Sequence, residues 1–237
     1  MEISLTALLV LSTCSANKLR IASSGAIQLI LQFLDSRFTT VCISTRAKLD
    51  IISTLHNLST CPQMISTILA CGGLNTLNQL IYESEKSSDL VEKATGFLET
   101  IVFRSKVALN QVGESGVVIP MLVEAVEDGS AACREYAVGI LLLICQSCRE
   151  RYRGMILNEG AMAGMMQLSV NGTRIAREKA KELISLLRDR DSGRSSSSMS
   201  MDMRTKSEAL EELMRQIDEE ESGGIQMVEE MIAKLRT

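Results

Sequence analysis

An internal repeat of 43 to 47 residues constrains the fold of this 237-residue chain more than any other feature of its sequence. The segment Thr6–Cys14 (TALLVLSTC) matches Ser53–Cys61 (STLHNLSTC) at an offset of 47. At an offset of 43, the small residue and the closing Leu or Ile of Lys93–Leu98 recur in Tyr136–Leu141 and again in Lys179–Ile184. A period in this range indicates a solenoid, because one repeat cannot bury its own apolar face and neighbouring repeats must stack to form a continuous core.

Composition predicts that the repeats are helical. Aromatic residues make up only 3% of the chain, and Pro62 and Pro120 are its only prolines. Leu, Ala, Met, Glu and Lys lose little rotamer freedom in a helix, so long helical segments are expected. In the third full unit, hydrophobic periodicity predicts helices over Arg104–Gly113, Ser115–Glu127 and Ser130–Ser147.

Glycines punctuate the repeats at equivalent positions. A glycine precedes every second helix, where a sharp junction requires backbone angles that a Cβ would obstruct; these are Gly25, Gly72 or Gly73, Gly116 and Gly160. Gly129-Ser130 and Gly172-Thr173 place a helix-breaking glycine before a hydroxyl residue that can cap the next helix. Aliphatic residues at helical spacing form the expected core: Leu98, Ile101, Leu141, Ile144, Ile184 and Leu187. The spacing therefore predicts an all-α protein, a right-handed α-solenoid of about four armadillo-type repeats over residues 1–188, the first of them partial.

The composition changes after Arg188. Residues 189–207 are rich in serine and are expected to be a flexible linker, and residues 208–237 contain two apolar stripes that predict short amphipathic helices. Residues 1–188 carry 18 Lys and Arg against 17 Asp and Glu, whereas the tail carries 7 against 12. The acidic tail helices are expected to cap the solenoid or to dock on a partner or on a second copy, and we favour docking, including self-association.

Charge and hydropathy exclude several classes of protein. The near-neutral repeat region lacks the clustered Lys and Arg that release counterions from nucleic acid, so no nucleic-acid partner is expected. No apolar run approaches the roughly 20 residues that cross a bilayer, so no membrane insertion is expected. The apolar run Leu5–Leu11 follows Glu2 rather than a basic segment and has an internal copy, which favours a repeat helix over a signal peptide.

The cysteines and the single histidine predict no catalytic, cofactor or metal site. Seven cysteines, an odd number in a chain of this length, suggest a reducing intracellular compartment, cytoplasmic or nuclear. Cys145 and Cys148 have C-x-x-C spacing, but no second cysteine pair or nearby histidine completes a tetrahedral zinc site. His56 is the only histidine and is expected on the flank of its helix, partly exposed, without the partners of a catalytic triad.

A stripe along the third helices is the candidate protein-binding surface. Its residues occupy three equivalent positions in successive repeats and face the expected groove: Asp50, Ser53, Asn57, Lys93, Gly96, Thr100, Tyr136, Gly139 and Leu143. The alternative is an ordinary solvated helix face. Because a mid-helix glycine costs about 1 kcal/mol relative to alanine, Gly96 and Gly139 indicate either close packing or an open groove floor.

The C-terminal repeats resemble a known family. Leu141–Cys145, Asn158–Ala161, Leu168–Thr173 and Ala176–Ala180 are similar to the last armadillo repeats of plant U-box ubiquitin ligases and their armadillo-only relatives. In that family the repeats bind target proteins, and a separate U-box recruits the ubiquitin-conjugating enzyme. No U-box is visible in this sequence. The resemblance implies an adaptor or scaffold that binds a target protein or, as the alternative, the substrate-recognition region of a ligase whose U-box lies elsewhere.

A second family with armadillo grooves, the nuclear-import receptors, fits less well. Their grooves resemble a ladder of paired Trp and Asn that holds extended basic peptides, and this chain contains no Trp. The aligned Asn positions are Asn57, Thr100, Leu143 and Leu186, and the aligned Trp positions are Ser53, Gly96, Gly139 and Glu182. Binding of basic cargo in the groove is therefore not expected.

Overall fold

The computed structural model describes residues 2–35 and 43–188. Within these residues, all regular secondary structure is helical. The helices, in chain order, are α1 (Glu2–Thr13), α2 (Ser15–Ser23), α3 (Ala26–Leu34), α4 (Thr45–Ser59), α5 (Pro62–Ala70), α6 (Gly73–Glu83), α7 (Asp89–Arg104), α8 (Lys106–Glu114), α9 (Val118–Asp128), α10 (Ala131–Ser147), α11 (Arg149–Asn158), α12 (Met162–Asn171) and α13 (Arg174–Arg188). The predicted linker over residues 189–207 and the predicted helices over residues 208–237 lie outside the described residues.

After α1, the helices form four triplets, each with two short helices and one longer third helix. The third helices α1, α4, α7, α10 and α13 pack against one another in chain order. The second helices α3, α6, α9 and α12 form an adjoining layer, each packed on the third helix of its own repeat. This arrangement confirms the predicted all-α armadillo solenoid. The bounds predicted for α8, α9 and α10 agree with the structure to within three residues at each end.

A hydroxyl side chain caps the start of each long third helix after α1. Ser44, Ser88 and Ser130 accept hydrogen bonds from the backbone N–H three residues ahead, at 3.2, 3.3 and 3.1 Å. Thr173 Oγ1 accepts the equivalent bond from the N–H of Ala176 at 3.1 Å. These bonds satisfy donors that have no partner inside the helix, which fixes where each third helix begins. The caps predicted at Ser130 and Thr173 are confirmed.

The glycines before the second helices differ in conformation. Gly25, Gly72 and Gly160 have φ angles of +78°, +79° and +76°, in the left-handed region where a Cβ is unfavourable. Gly116 does not share this conformation, so in the third full repeat the turn into α9 is made without a left-handed residue. The predicted glycine turn is therefore confirmed at three of the four positions.

The core consists almost entirely of aliphatic side chains. All six residues predicted for it, from Leu98 to Leu187, are buried, and they belong to a single cluster that runs through the stacked repeats. The largest fully buried side chain is that of Phe97 on α7. A continuous aliphatic core of this kind holds the third helices in a fixed register. Among the helices of residues 2–35 and 43–188, none is long and apolar enough to cross a membrane.

Candidate protein-binding groove

The nine residues of the predicted stripe lie on α4, α7 and α10 in three rows that run across the stacked third helices. The first row is Asp50, Lys93 and Tyr136; the second is Ser53, Gly96 and Gly139; the third is Asn57, Thr100 and Leu143. Consecutive third helices are in contact, and Tyr136 of the first row packs against Gly96 of the second. The side chains in these rows nevertheless differ widely in their exposure.

In the first row, Asp50 is buried and connects neighbouring helices. Its Oδ2 accepts a hydrogen bond of 2.7 Å from Thr6 Oγ1 on α1, and its Oδ1 lies 3.4 Å from Arg46 Nε. Lys93 is exposed, and Tyr136 is partly buried. Desolvation raises the pKa of the Tyr136 hydroxyl, and the carboxylates of neighbouring glutamates add to the effect. Asp50 thus joins two repeats, whereas Lys93 and part of Tyr136 are open to solvent.

In the second row, both glycines lie under side chains from neighbouring helices. A Cβ on Gly96 would lie 2.9 Å from the ring of Tyr136, which packs on the backbone of α7 at that point. A Cβ on Gly139 would collide with Glu99 Oε1 and would lie 2.8 Å from Lys179 Nζ. The sequence left two interpretations of these glycines, close packing or an open groove floor, and the structure supports close packing.

In the third row, polar side chains join consecutive third helices. Asn57 Nδ2 donates to Ser12 Oγ at 3.0 Å. Thr100 Oγ1 lies 3.3 Å from Nε2 of His56, which is exposed on α4. Leu143 is partly buried and packs against the core. The row becomes more apolar from α4 to α10, so the two ends of the stripe offer different chemistry to a partner.

His56 occupies the junction between α4 and α7. Its ring centroid lies 5.7 Å from that of Phe97, with the planes tilted by 32°. Partial burial of the ring lowers the pKa of His56 below its usual value of 6.5, and the positive charges of Lys93 and Arg104 lower it further. The predicted position on the flank of the helix is confirmed.

Several polar contacts between the third helices were not predicted from the sequence. Lys179 Nζ on α13 lies 2.7 Å from Glu99 Oε1 on α7, so this ion pair crosses the intervening helix α10. Glu92 Oε2 on α7 accepts a 2.6 Å bond from Ser130 Oγ, and Glu135 on α10 accepts the equivalent bond from Thr173 Oγ1. The signal was available in the repeat itself, since Glu92 and Glu135 share one repeat position and Ser130 and Thr173 share another.

The C-x-x-C pair is divided between the core and the surface. Cys145 is buried and Cys148 is exposed, and desolvation raises the pKa of the Cys145 thiol. All six cysteines in the described part of the chain are free thiols. Over residues 2–35 and 43–188, no group of three or more Cys, His, Asp and Glu side chains could hold a metal ion.

The stacked triplets define an armadillo-repeat protein, and solved structures support this class. A designed armadillo repeat protein superposes with a TM-score of 0.65 at 15% identity, over 79% of this chain and 75% of its own. A second engineered protein superposes with a TM-score of 0.64 at 16% identity, over 79% of this chain and 44% of its own. Identities this low establish the fold alone.

Sequence comparison places the chain in one armadillo family. It belongs to the plant U-box protein ARM repeat region, whose family model matches residues 7–209. U-box domain-containing protein 45 of Arabidopsis thaliana is 31% identical over 177 residues, which cover 71% of this chain and 21% of that protein. U-box domain-containing protein 17 of the same plant is 30% identical over 147 residues, covering 62% and 20%. The chain thus spans about a fifth of the length of these relatives.

Proposed function

We propose that this chain is a protein-interaction module that binds a target protein along its third helices. The observation that carries the proposal is the continuous face built by α4, α7, α10 and α13, on which equivalent positions of successive repeats form rows. Armadillo solenoids use extended concave surfaces of this kind for binding. A row of equivalent positions can follow an extended partner over several repeats.

Within the face, the exposed residues are the ones we expect to contact the target. Lys93 is exposed, and Tyr136 presents part of its ring while Gly96 supports the other part. Tyrosine and cationic side chains that rest on a rigid surface frequently dominate binding energy. Asp50 and Gly139 are buried, so their contribution is to keep the third helices in register rather than to touch the target.

The alternative function is substrate recognition for a U-box ubiquitin ligase. It is supported by the family of the chain and by its two U-box relatives, of which it spans only a fifth. In this case the repeats select the substrate, and a U-box outside the given sequence supplies ligase activity. Both functions place the protein inside the cell, in the cytoplasm or the nucleus.

The experiment that tests groove binding uses charge reversal at an exposed position. The intact chain, a Lys93→Glu variant and a matched Lys181→Glu variant are used to capture partners from plant cell extract, and each captured protein is purified and titrated. Lys181 is exposed on α13 but lies outside the three rows, so its variant controls for charge. A partner whose affinity falls only in Lys93→Glu supports the groove. Partners that bind all three chains equally would contradict it.

The two functions are separated by a different measurement. The transcript is sequenced upstream of Met1, and the longer chain, if it encodes a U-box, is tested for ubiquitination of the captured partner. Ubiquitination of a partner that depends on Lys93 favours the ligase function. A transcript without a U-box favours the adaptor.

A further inference from the structure

A pocket of about 320 Å³ opens between α6 and the start of α9, in the layer of second helices rather than in the groove. One wall is a stripe on α6 at helical spacing, composed of Asn75, Asn78, Gln79 and Tyr82. The other wall is the junction of α8 and α9 together with the first turns of α9, composed of Ser115, Val117, Val118 and Met121. The pocket therefore combines side-chain amides on one side with mainly apolar side chains on the other.

Asn78 is unusual both in its bonding and in its sequence position. Its Oδ1 is the one buried side-chain nitrogen or oxygen in the described residues that has no hydrogen-bond partner. The register of the second helices is set by the buried residues Ile30, Leu77, Leu122 and Met165. The residue that follows each of them is Leu31, Asn78, Val123 and Met166, so three repeats carry an apolar side chain where α6 carries a carboxamide.

A buried carboxamide oxygen without a partner weakens the fold, because the oxygen has lost water without gaining a donor. Local sequence choices that oppose stability are concentrated at functional sites. The Asn78 oxygen therefore points to a ligand that brings a hydrogen-bond donor into the pocket.

The rim of the pocket is apolar and open to solvent. Tyr82 is 63% exposed and Val117 is 60% exposed, and both line the pocket. Their positions on facing walls leave space for an apolar side chain from a partner, which would cover both residues on binding.

Tyr82 also borders a second, wider cleft that is acidic. This cleft is lined by Tyr82, Glu83, Ser84, Glu85, Lys86, Ser87, Glu124 and Asp128. Lys86, the one cation among the described residues that line the cleft, is buried; its Nζ donates to the carbonyl oxygens of Ile81, Tyr82 and Ser84 and lies 3.4 Å from Glu124 Oε2. Among the described residues that line this cleft there are thus four carboxylates and one ammonium group, and the ammonium group is already engaged.

The position of two of these carboxylates strengthens the negative field. Glu83 ends α6 and Asp128 ends α9. The C-terminal end of a helix already carries partial negative charge, which favours a cation there and disfavours a carboxylate. A Lys or Arg from a partner would be attracted to this cleft, and the attraction would weaken with added salt.

We propose that the pocket and the adjoining acidic cleft form a second docking site, distinct from the groove, for a peptide segment of another protein. The segment inserts an apolar side chain between Tyr82 and Val117, donates a hydrogen bond to Asn78 Oδ1, and places a neighbouring Lys or Arg in the acidic cleft. The chain's own residues 189–237 are a poor match, because they carry 12 acidic residues against 7 basic ones. The occupant is therefore a basic segment from a different chain.

The test is a selection from a phage-displayed library of short random peptides. The library is selected in parallel on the full chain and on the variants Asn78→Leu, Asp128→Lys and Lys93→Glu. Asn78→Leu introduces the apolar residue found at Leu31 and removes the oxygen that has no partner. Lys93→Glu changes the groove alone, so it separates a failure of this site from a failure of the proposed groove. Enriched peptides are synthesised, and their dissociation constants are measured in low and high salt.

The expected result is a set of peptides that combine an apolar residue with a nearby Lys or Arg and retain their affinity for Lys93→Glu. Their affinity should fall about tenfold in Asn78→Leu, as for the loss of a hydrogen bond that the bound peptide shields from water, and should also fall in Asp128→Lys and in high salt. The proposal is overturned if no enriched peptide depends on Asn78, or if the dependent peptides lack basic residues. It is also overturned if sedimentation shows a dimer of the intact chain that Asn78→Leu abolishes, because the occupant would then be a second copy.

Discussion

Lys179 Nζ lies 2.7 Å from Glu99 Oε1, and the ion pair that they form crosses the surface of α10 at Gly139. The two residues are 80 positions apart in the sequence and belong to repeats that are not consecutive. A solenoid is usually stabilised by contacts between neighbouring repeats alone. This pair adds a direct connection between α7 and α13, and it is possible only because residue 139 has no side chain.

Removing the space above residue 139 should therefore uncouple Glu99 from Lys179. In the native chain, a double-mutant cycle with Glu99→Gln and Lys179→Gln should give a coupling free energy of up to about 1 kcal/mol, the upper range for partly exposed pairs. The same cycle in a Gly139→Ala background should give a coupling near zero, because the Cβ would displace both charged groups. Urea unfolding of the eight chains supplies the free energies.

The stability of Gly139→Ala itself should change little. The atoms that a Cβ would meet are the mobile ends of two long side chains, and alanine favours a helix over glycine by about 1 kcal/mol. The helix preference of alanine stabilises the chain, whereas the loss of the ion pair between Glu99 and Lys179 destabilises it, so the two contributions largely cancel. A native-sized coupling in the Gly139→Ala background would show that the pair does not depend on the glycine.

The repeats could be predicted from the sequence because their signals are local and occur several times. The offsets of 43 and 47 located the third helices, and Ser130 and Thr173 identified their capped ends before any contact was known. The contacts across the groove could not be predicted in the same way. Which of Lys93 and Lys179 meets Glu99 depends on side-chain directions and helix separations, which the repeat period does not specify.

The solvent exposure of individual side chains in the predicted stripe could not be predicted from the sequence either. Asp50, Lys93 and Tyr136 occupy one repeat position, yet Asp50 is buried and bonded to Thr6 and Arg46, whereas Lys93 is exposed. The pocket beside Asn78 was missed because the equivalence of Asn78 with Val123 depends on the register of two helices of similar length, and this register became evident from their burial patterns. A single polar residue in an apolar column is a signal, but only once the column is aligned.

Gly72 and Gly116 form a matched pair for testing the glycine turns. Gly72 has a φ of +79°, and Gly116 has open space around its Cα and no left-handed conformation. Gly72→Ala should lower the free energy of unfolding by about 1 to 2 kcal/mol, because a Cβ strains a left-handed residue. Gly116→Ala should change the free energy of unfolding by less than about 0.5 kcal/mol or increase it slightly. Equal losses in chemical denaturation would refute the distinction drawn between these two turns.

Asn78→Leu should stabilise the chain by about 1 kcal/mol or more. The substitution removes a buried oxygen without a partner and introduces the side chain that occupies the equivalent position at residue 31. The reciprocal change Val123→Asn should destabilise the chain by about 1 to 3 kcal/mol, since it places a carboxamide at a buried apolar position. Thermal unfolding of the two variants beside the native chain shows whether each substitution raises or lowers the stability. A loss of stability in Asn78→Leu would mean that the carboxamide has a structural partner.

His56 provides a direct probe of the groove because it is the only histidine in the chain. Burial lowers its pKa below 6.5, and Lys93 and Arg104 contribute through their positive charges. Lys93→Glu should therefore raise the pKa of His56, since it replaces a repelling cation with an attracting anion, whereas Lys181→Glu should leave this pKa nearly unchanged. A single imidazole resonance followed by NMR through a pH titration reports the value in each chain.

The depressed pKa also fixes how stability responds to pH. When a folded-state pKa lies below its unfolded value, the unfolded chain binds more protons between the two values, so stability rises with pH across that interval. The contribution of His56 should therefore be complete above about pH 6.5 and should decrease as the pH falls toward the folded-state pKa. Lys93→Glu narrows the interval between the folded-state and unfolded-state pKa of His56. The free energy of unfolding should therefore depend less on pH near pH 6. An unchanged dependence, together with an unchanged imidazole titration, would place the charge of Lys93 too far from His56 to influence that end of the groove.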